Sequence, residues 1–238
     1  MEVWIVLIIA CCGSFFQCVT GFGYAIICMA VWPVFFTFAE AAVLEVITAF
    51  ILVTYLTVKL RKHINFKILV VPLLAANLFS GYGVKLMTQT NDYLMGKIIG
   101  ILLFCLVGYF LVFSKKIKIQ ANWKNGLVVG GISGFLGGLV NIGGPLMAVY
   151  YLDVTEDKKT YNGTLQCFFC LNTLAIFMNH LLIGNLTIKL IKLSGIATIG
   201  LIVGTSLGLY FFEKISNKGI EKIVYVCMLI FGIYFLIR

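Results

Sequence analysis

Two glycine-rich interruptions inside apolar segments, about half a chain apart, constrain this sequence more than any other feature. The first is Gly21-Phe22-Gly23, within residues 14–33. The second is Asn141-Ile142-Gly143-Gly144-Pro145, within residues 134–152. Phe15 and Phe135, Phe22 and Ile142, and Gly23 and Gly143 all match at an offset of 120 in a chain of 238 residues. Backbone that leaves a helix at membrane depth exposes N–H and C=O groups, which survive only where they line a cavity or are buried in protein. Broken segments at corresponding places in two halves therefore point to a transporter binding site.

The membrane setting follows from composition. The chain is 61% apolar and 11% charged, with a mean hydropathy of +1.06. About eight hydrophobic segments can be read, near 3–32, 40–58, 66–88, 95–113, 125–151, 162–183, 188–212 and 220–237. Each is long enough to cross about 30 Å of hydrocarbon. The expected fold is an all-α integral membrane protein in two related halves, 1–120 and 121–238, with segments one and five broken or re-entrant. The strand alternation of an outer-membrane barrel is absent. Met1-Glu2-Val3-Trp4 offers no basic n-region, so the first segment is expected to stay in the mature protein. The polar stretch 114–124 is the expected hinge. Asn65 pairs with Asn185 at the same offset of 120, and Gly108-Tyr109-Phe110-Leu111 resembles Gly232-Ile233-Tyr234-Phe235.

The net charge of +9 does not mark a nucleic-acid binder, because the basic residues sit at segment ends as topology signals and headgroup anchors. Two topologies fit. If all eight segments cross, the Lys and Arg residues divide 11 against 7 and the halves are parallel. If segments one and five dip in and return, the division is 13 against 5, the halves are inverted and the N-terminus lies outside. The second division is the sharper, and a 30-residue first segment would be about 45 Å long as one helix.

The candidate substrate-binding residues are Gln17, Thr20, Gly21 and Gly23 at the first break and Asn141, Gly143, Gly144 and Pro145 at the second. The glycines would admit a solute close to the backbone, while Gln17, Thr20, Asn141 and Thr164 would hydrogen-bond it. Pro145 suits the start of a half-helix. A half-helix N-terminus carries partial positive charge and free donors, and binds small anions without a cationic side chain. Asn162, in Asn162-Gly163-Thr164, reads first as a cap of segment six and alternatively as part of a solute path. Glu45 is the one acidic residue clearly inside an apolar segment, a place where carboxylates serve ion pathways. Its position near the segment end also lets it reach the interface. His180 reads as an interfacial histidine or a proton relay.

Other features point to packing. Gly130, Gly134 and Gly138, and Gly200, Gly204 and Gly208, form stripes that allow close helix approach and could equally support a homodimer. The eight cysteines fall in hydrophobic segments as small hydrophobes. Cys167 and Cys170 lack the partners a redox or metal site needs, although a membrane thiol-redox protein remains a rival reading, as does a non-transporting scaffold. No hydrolytic motif, metal site or cofactor is implied.

At these residues the chain resembles the sulfite exporter TauE/SafE (TSUP) family. Gly21-Phe22-Gly23 and Asn141-Ile142-Gly143-Gly144-Pro145 are similar to its G-x-G-G-G-like element, and Asn162-Gly163-Thr164-Leu165 to its A-x-G-T-S-L-like helix start. Gly184-Asn185 resembles the family's turn before segment seven, and Gly204–Leu209 its glycine-rich helix. Tyr24 and Ala25 depart from the first motif, Asn141 from the leading glycine of the second, and Ala42-Val43-Leu44-Glu45 from the G-T-S-L character. The resemblance implies a transporter of a small anion, such as sulfite, thiosulfate or an organosulfonate, in a prokaryotic plasma membrane. It leaves the substrate, the direction and the coupling ion open.

Overall fold

The computed structural model describes residues 2–109, 111, 119–211 and 217–237, without the side chains of 217–224 and 227. Residues 114–118 of the hinge at 114–124, Phe110 and the Cys227 thiol therefore lie outside the described residues. The described chain forms α1 (Glu2–Thr20), α2 (Tyr24–Val31), a 3-10 turn (Trp32–Val34), α3 (Phe38–Leu60), a second 3-10 turn (Arg61–His63), α4 (Phe66–Gln89) and α5 (Asp92–Gly108). It continues through α6 (Trp123–Val140), α7 (Gly144–Val154), α8 (Lys158–Ile183), α9 (Ile188–Phe211) and α10 (Asn217–Ile237). No strand occurs among the described residues. Five helices there are long and apolar enough to cross a membrane: α1, α3 with its 3-10 extension, α4, α8 and α9. The molecule is an all-α, multi-pass membrane protein.

Polar caps fix where the long helices start. Thr37 and Glu40 form a reciprocal capping box ahead of α3. The side chains of Asn65, Asn91 and Asn122 accept from the first turns of α4, α5 and α6. Asp157 accepts from the N–H groups of Lys159 and Thr160, so α8 begins at Lys158. This corrects the expectation that Asn162 caps segment six: Asn162 lies inside α8, because the helix starts earlier, at the cap that Asp157 supplies.

Segments one and five are hairpins. A Cβ at Gly13 of α1 would lie 3.0 Å from Tyr24 and 3.4 Å from the Cys28 sulfur of α2, a contact that requires α2 to double back along α1. Lys189 pairs with Glu2 at 3.1 Å and lies over the Phe36 ring at 5.6 Å, so the chain leaves this hairpin at the face where it entered. In the second hairpin a Cβ at Gly126 of α6 would lie 3.2 Å from the Tyr150 hydroxyl of α7. Asp153, at the end of α7, accepts from the Ile119 N–H just before α6.

The two hairpins open to opposite faces. Asp92 accepts from the Phe38 N–H, placing the starts of α3 and α5 together at the amino-terminal face. At the other face the Thr164 hydroxyl accepts from the Asn65 N–H, joining the start of α8 to the start of α4.

Close backbone contact seats both hairpins. A Cβ at Gly130, Gly134 or Gly138 would strike the backbone of Pro72, Ala76 or Ser80, so α6 lies directly on α4. Cβ atoms at Gly200, Gly204 and Gly208 of α9 would strike the backbone of α1 at Leu7, Cys11 and Phe15. Both stripes are used up within one chain, which corrects the idea that they are free for a dimer. Without a hydrophobic drive between helices in lipid, such contact gains its stability from dispersion over many atom pairs.

Candidate functional site

The first tip is built by glycines and glutamines. Gly21 and Gly23 have φ values of 85° and 132°, a region other L-residues rarely adopt, and they let α1 stop and α2 start within three residues. The Gln17 Nε2 donates to the Gly21 carbonyl at 3.2 Å and to Gln166 Oε1 at 3.3 Å. The Gln166 Nε2 donates to the same carbonyl at 2.9 Å. The Tyr24 N–H, in the first turn of α2, donates to Gln17 Oε1 at 3.2 Å. A helix across the molecule thus satisfies backbone that the break exposes.

The second tip uses asparagine. Asn141 takes the left-handed conformation, φ 58°, with its N–H donating to the Gly137 carbonyl. Its Nδ2 donates to the Ala42 carbonyl at 2.9 Å and to Glu45 Oε2 at 2.7 Å, both on α3. The Ser133 hydroxyl donates to the Gly143 carbonyl at 2.8 Å. Pro145 sits in the first turn of α7, where its missing N–H costs nothing.

Between the tips lies a cavity of about 60 Å³, beside the middle of α3 and α8. One water takes roughly 10–15 Å³ of such space, so there is room for a solute of four or five heavy atoms. The starts of both α2 and α7 line it, and among the described residues no Lys or Arg does. Gln17, Gly23, Glu45, Asn141, Gly143, Gly144 and Pro145 all border it. Gly143 needs its missing side chain for another reason, since a Cβ there would strike the Ser133 carbonyl.

The remaining candidates lie elsewhere. Thr20 borders neither this cavity nor the next; its hydroxyl donates to the Phe16 carbonyl at 2.9 Å and accepts from the Phe22 N–H. The Cβ position of Gly21 faces Asn162 Oδ1 at 3.0 Å. Thr164 is fully buried and spends its hydroxyl on Asn65. His180 is fully buried, its Nδ1 3.1 Å from Asn185 Nδ2, and borders neither cavity. It lies in the last turn of α8, just before the turn at Gly184. Glu45 is 4% exposed and does not reach the interface, since α3 begins earlier, at Phe38, and Asn141 holds its carboxyl inside.

A second cavity of about 570 Å³ opens beyond the first tip. Lys59, His63, Lys158, Lys159 and Asn162 border it, and so do Gln17 and Gln166. Gln17 alone borders both cavities, so the Gln17–Gln166 bond lies between them. At the start of α8, the Asp157 carboxyl is held below the usual carboxylate range, chiefly by hydrogen bonding with the Thr160 side chain and backbone and also by the Lys159 N–H. The sequence reading missed the lysine group. Gln166, an uncharged polar residue inside an apolar segment, makes the interhelical hydrogen bonds such a residue suggests.

Cys167 is buried in an apolar cluster with Tyr151 and Phe168, whereas the Cys170 sulfur lies 3.4 Å from the Thr54 hydroxyl of α3. Both thiols are free. Among the described residues no group of three or more His, Cys, Asp or Glu could hold a metal ion.

Two hairpins whose tips meet at a small internal cavity, in a molecule with five helices long and apolar enough to cross a membrane among the described residues, suit a polytopic membrane transport protein. The sequence model of the family described as sulfite exporter TauE/SafE matches residues 5–235, nearly the whole chain. The protein belongs to that family, which is one of membrane transporters and not of enzymes. No curated protein and no solved structure gives a significant match.

Proposed function

We propose that this protein moves a small sulfur-containing anion, such as sulfite, across the plasma membrane by alternating access at the cavity between its two hairpin tips. The observation that carries the reading is the convergence of the α2 and α7 starts on that cavity. Each helix start presents about half a positive charge to an anion. The solute then sits near Gln17, Gly23, Asn141 and Gly144, with Glu45 as the group that couples proton movement.

The halves 1–120 and 121–238 are inverted repeats in this reading. What supports it is an exchange of partners: α1 packs on α9 as α6 packs on α4, and α3 meets α9 as α8 meets α4. The starts of α3 and α8, Phe38 and Lys158, stand 120 residues apart. One chain supplies both tips, so a monomer is the transporting unit. In the inverted arrangement the sequence divides its Lys and Arg residues 13 against 5, with Lys59, Lys158 and Lys159 of the wide cavity on the richer side, which the positive-inside rule makes cytoplasmic. That cavity gathers anions from the cytoplasm, and the Gln17–Gln166 pair separates it from the central site.

Uptake of labelled sulfite into proteoliposomes tests this. Saturable flux that falls when Gln17 is changed to Leu is expected. Protein-independent leakage alone would overturn the proposal.

A further inference from the structure

The central cavity has one conspicuous polar vacancy. Of the buried side-chain atoms that lack a hydrogen-bond partner among the described residues, only Asn141 Oδ1 belongs to a residue bordering this cavity. Asn141 is 8% exposed, and its amide orientation is fixed, because its nitrogen already faces two acceptors, the Ala42 carbonyl and Glu45 Oε2. The vacant atom can only accept. Leaving a buried acceptor unpaired is costly, so the site discriminates in favour of whatever supplies a donor there.

Charge narrows the choice further. Among the described residues no Lys or Arg borders the cavity, and Glu45 does. Two helix starts of about half a charge each offset one negative charge in all, which matches a monoanion beside a protonated Glu45 and leaves a dianion uncompensated in either state of Glu45.

From the vacant acceptor and this charge balance, and resting on the anion-transporter reading above, we infer that the solute is a monoanion carrying its own hydrogen-bond donor. Hydrogensulfite and amino- or hydroxy-substituted sulfonates belong to this class; sulfite dianion and thiosulfate do not. The oxyanion end faces the starts of α2 and α7, and the donor faces Asn141 Oδ1.

Sulfamate and methanesulfonate make the test. Both are monoanions with the same number of heavy atoms, and only sulfamate has an N–H donor. Each would compete with labelled sulfite for uptake by the full-length protein in liposomes. Sulfamate is expected to inhibit at a concentration about tenfold lower or less, with thiosulfate no better than methanesulfonate. Asn141→Gly suits the left-handed turn and removes the acceptor, so it is expected to erase the difference. Equal inhibition in the native protein, or a difference that persists in Asn141→Gly, would overturn the inference while sulfite flux leaves the transporter reading standing. Absence of flux for all of these anions would defeat both.

Discussion

The two hairpin tips solve one problem by different chemistry. Each must end a helix inside the molecule and satisfy the backbone it exposes. The first tip does so with two glycines at positive φ and a glutamine from each of α1 and α8. The second does so with a left-handed asparagine whose amide reaches a carbonyl and a carboxyl on α3. Each tip is therefore held by a helix from the other half of the sequence. The first is held by neutral amides and stands beside the lysine-bordered cavity; the second is held through an ionisable group and stands beside none. In the proposed mechanism the first tip gates, and the second selects the solute and couples its movement.

Steric substitutions give the largest expected contrast. Gly143→Ala drives a Cβ into the Ser133 backbone, which cannot yield as a flexible side chain can. Overpacking of this kind costs about 1–3 kcal/mol, and a lowered melting temperature in detergent would reveal it. Gly21→Ala faces backbone strain of about 1 kcal/mol or more, but its Cβ meets side chains and no backbone: the Asn162 amide at 3.0 Å and the Tyr161 side chain at ordinary contact distance. A larger loss at Gly21 than at Gly143 would break the comparison.

Removing the holding groups comes next. Glu45→Leu strands the Asn141 amide and costs about 1–3 kcal/mol, with loss of coupled flux. Gln166→Leu leaves the Gly21 carbonyl with Gln17 alone and is expected to make the Gln17 gate leaky, read as faster uncoupled exchange. Identical phenotypes for the two would erase the division of labour.

Charge in the wide cavity has a smaller effect. Replacing Lys59 and Lys159 with Gln is expected to raise KM a few-fold without changing kcat, and the effect should shrink with salt. The smallest effect belongs to Asp157. Its cap on α8 contributes fully above the ordinary carboxylate pKa and fades as pH falls through the lowered value of the folded protein. Asp157→Ala should thus speed proteolysis near Thr155–Lys158 at neutral pH and make little difference in strong acid.

Much of this was legible in the sequence because membrane physics leaves few options. Apolar length fixed the helices, and Gly21, Gly23 and Asn141 marked the breaks, since left-handed backbone favours glycine and asparagine. The glycine stripes gave the close helix pairs in kind, but not the partners, which depend on how α1 and α6 cross to α9 and α4. Glu45 looked interfacial because the hydrophobic run seemed to start near residue 40; the cap at Thr37 moves the helix start and carries Glu45 inward. Thr164 looked like a solute ligand and is engaged by Asn65, a contact between segments 99 residues apart that no local pattern encodes. Gly143 read as an opening for the solute, whereas its Cβ position faces its own hairpin.

Gly144 is accordingly the sharpest probe of the shared site. A side chain there meets the Phe169 ring, which can swing aside, and extends toward the cavity rather than into backbone. The most direct measurement is labelled sulfite uptake by Gly144→Leu in proteoliposomes, beside its melting temperature. The account predicts saturable uptake in the native protein and none in the variant, with the melting temperature nearly unchanged. Native-like saturable uptake by a folded Gly144→Leu protein would contradict the claim that the two tips frame the transport site.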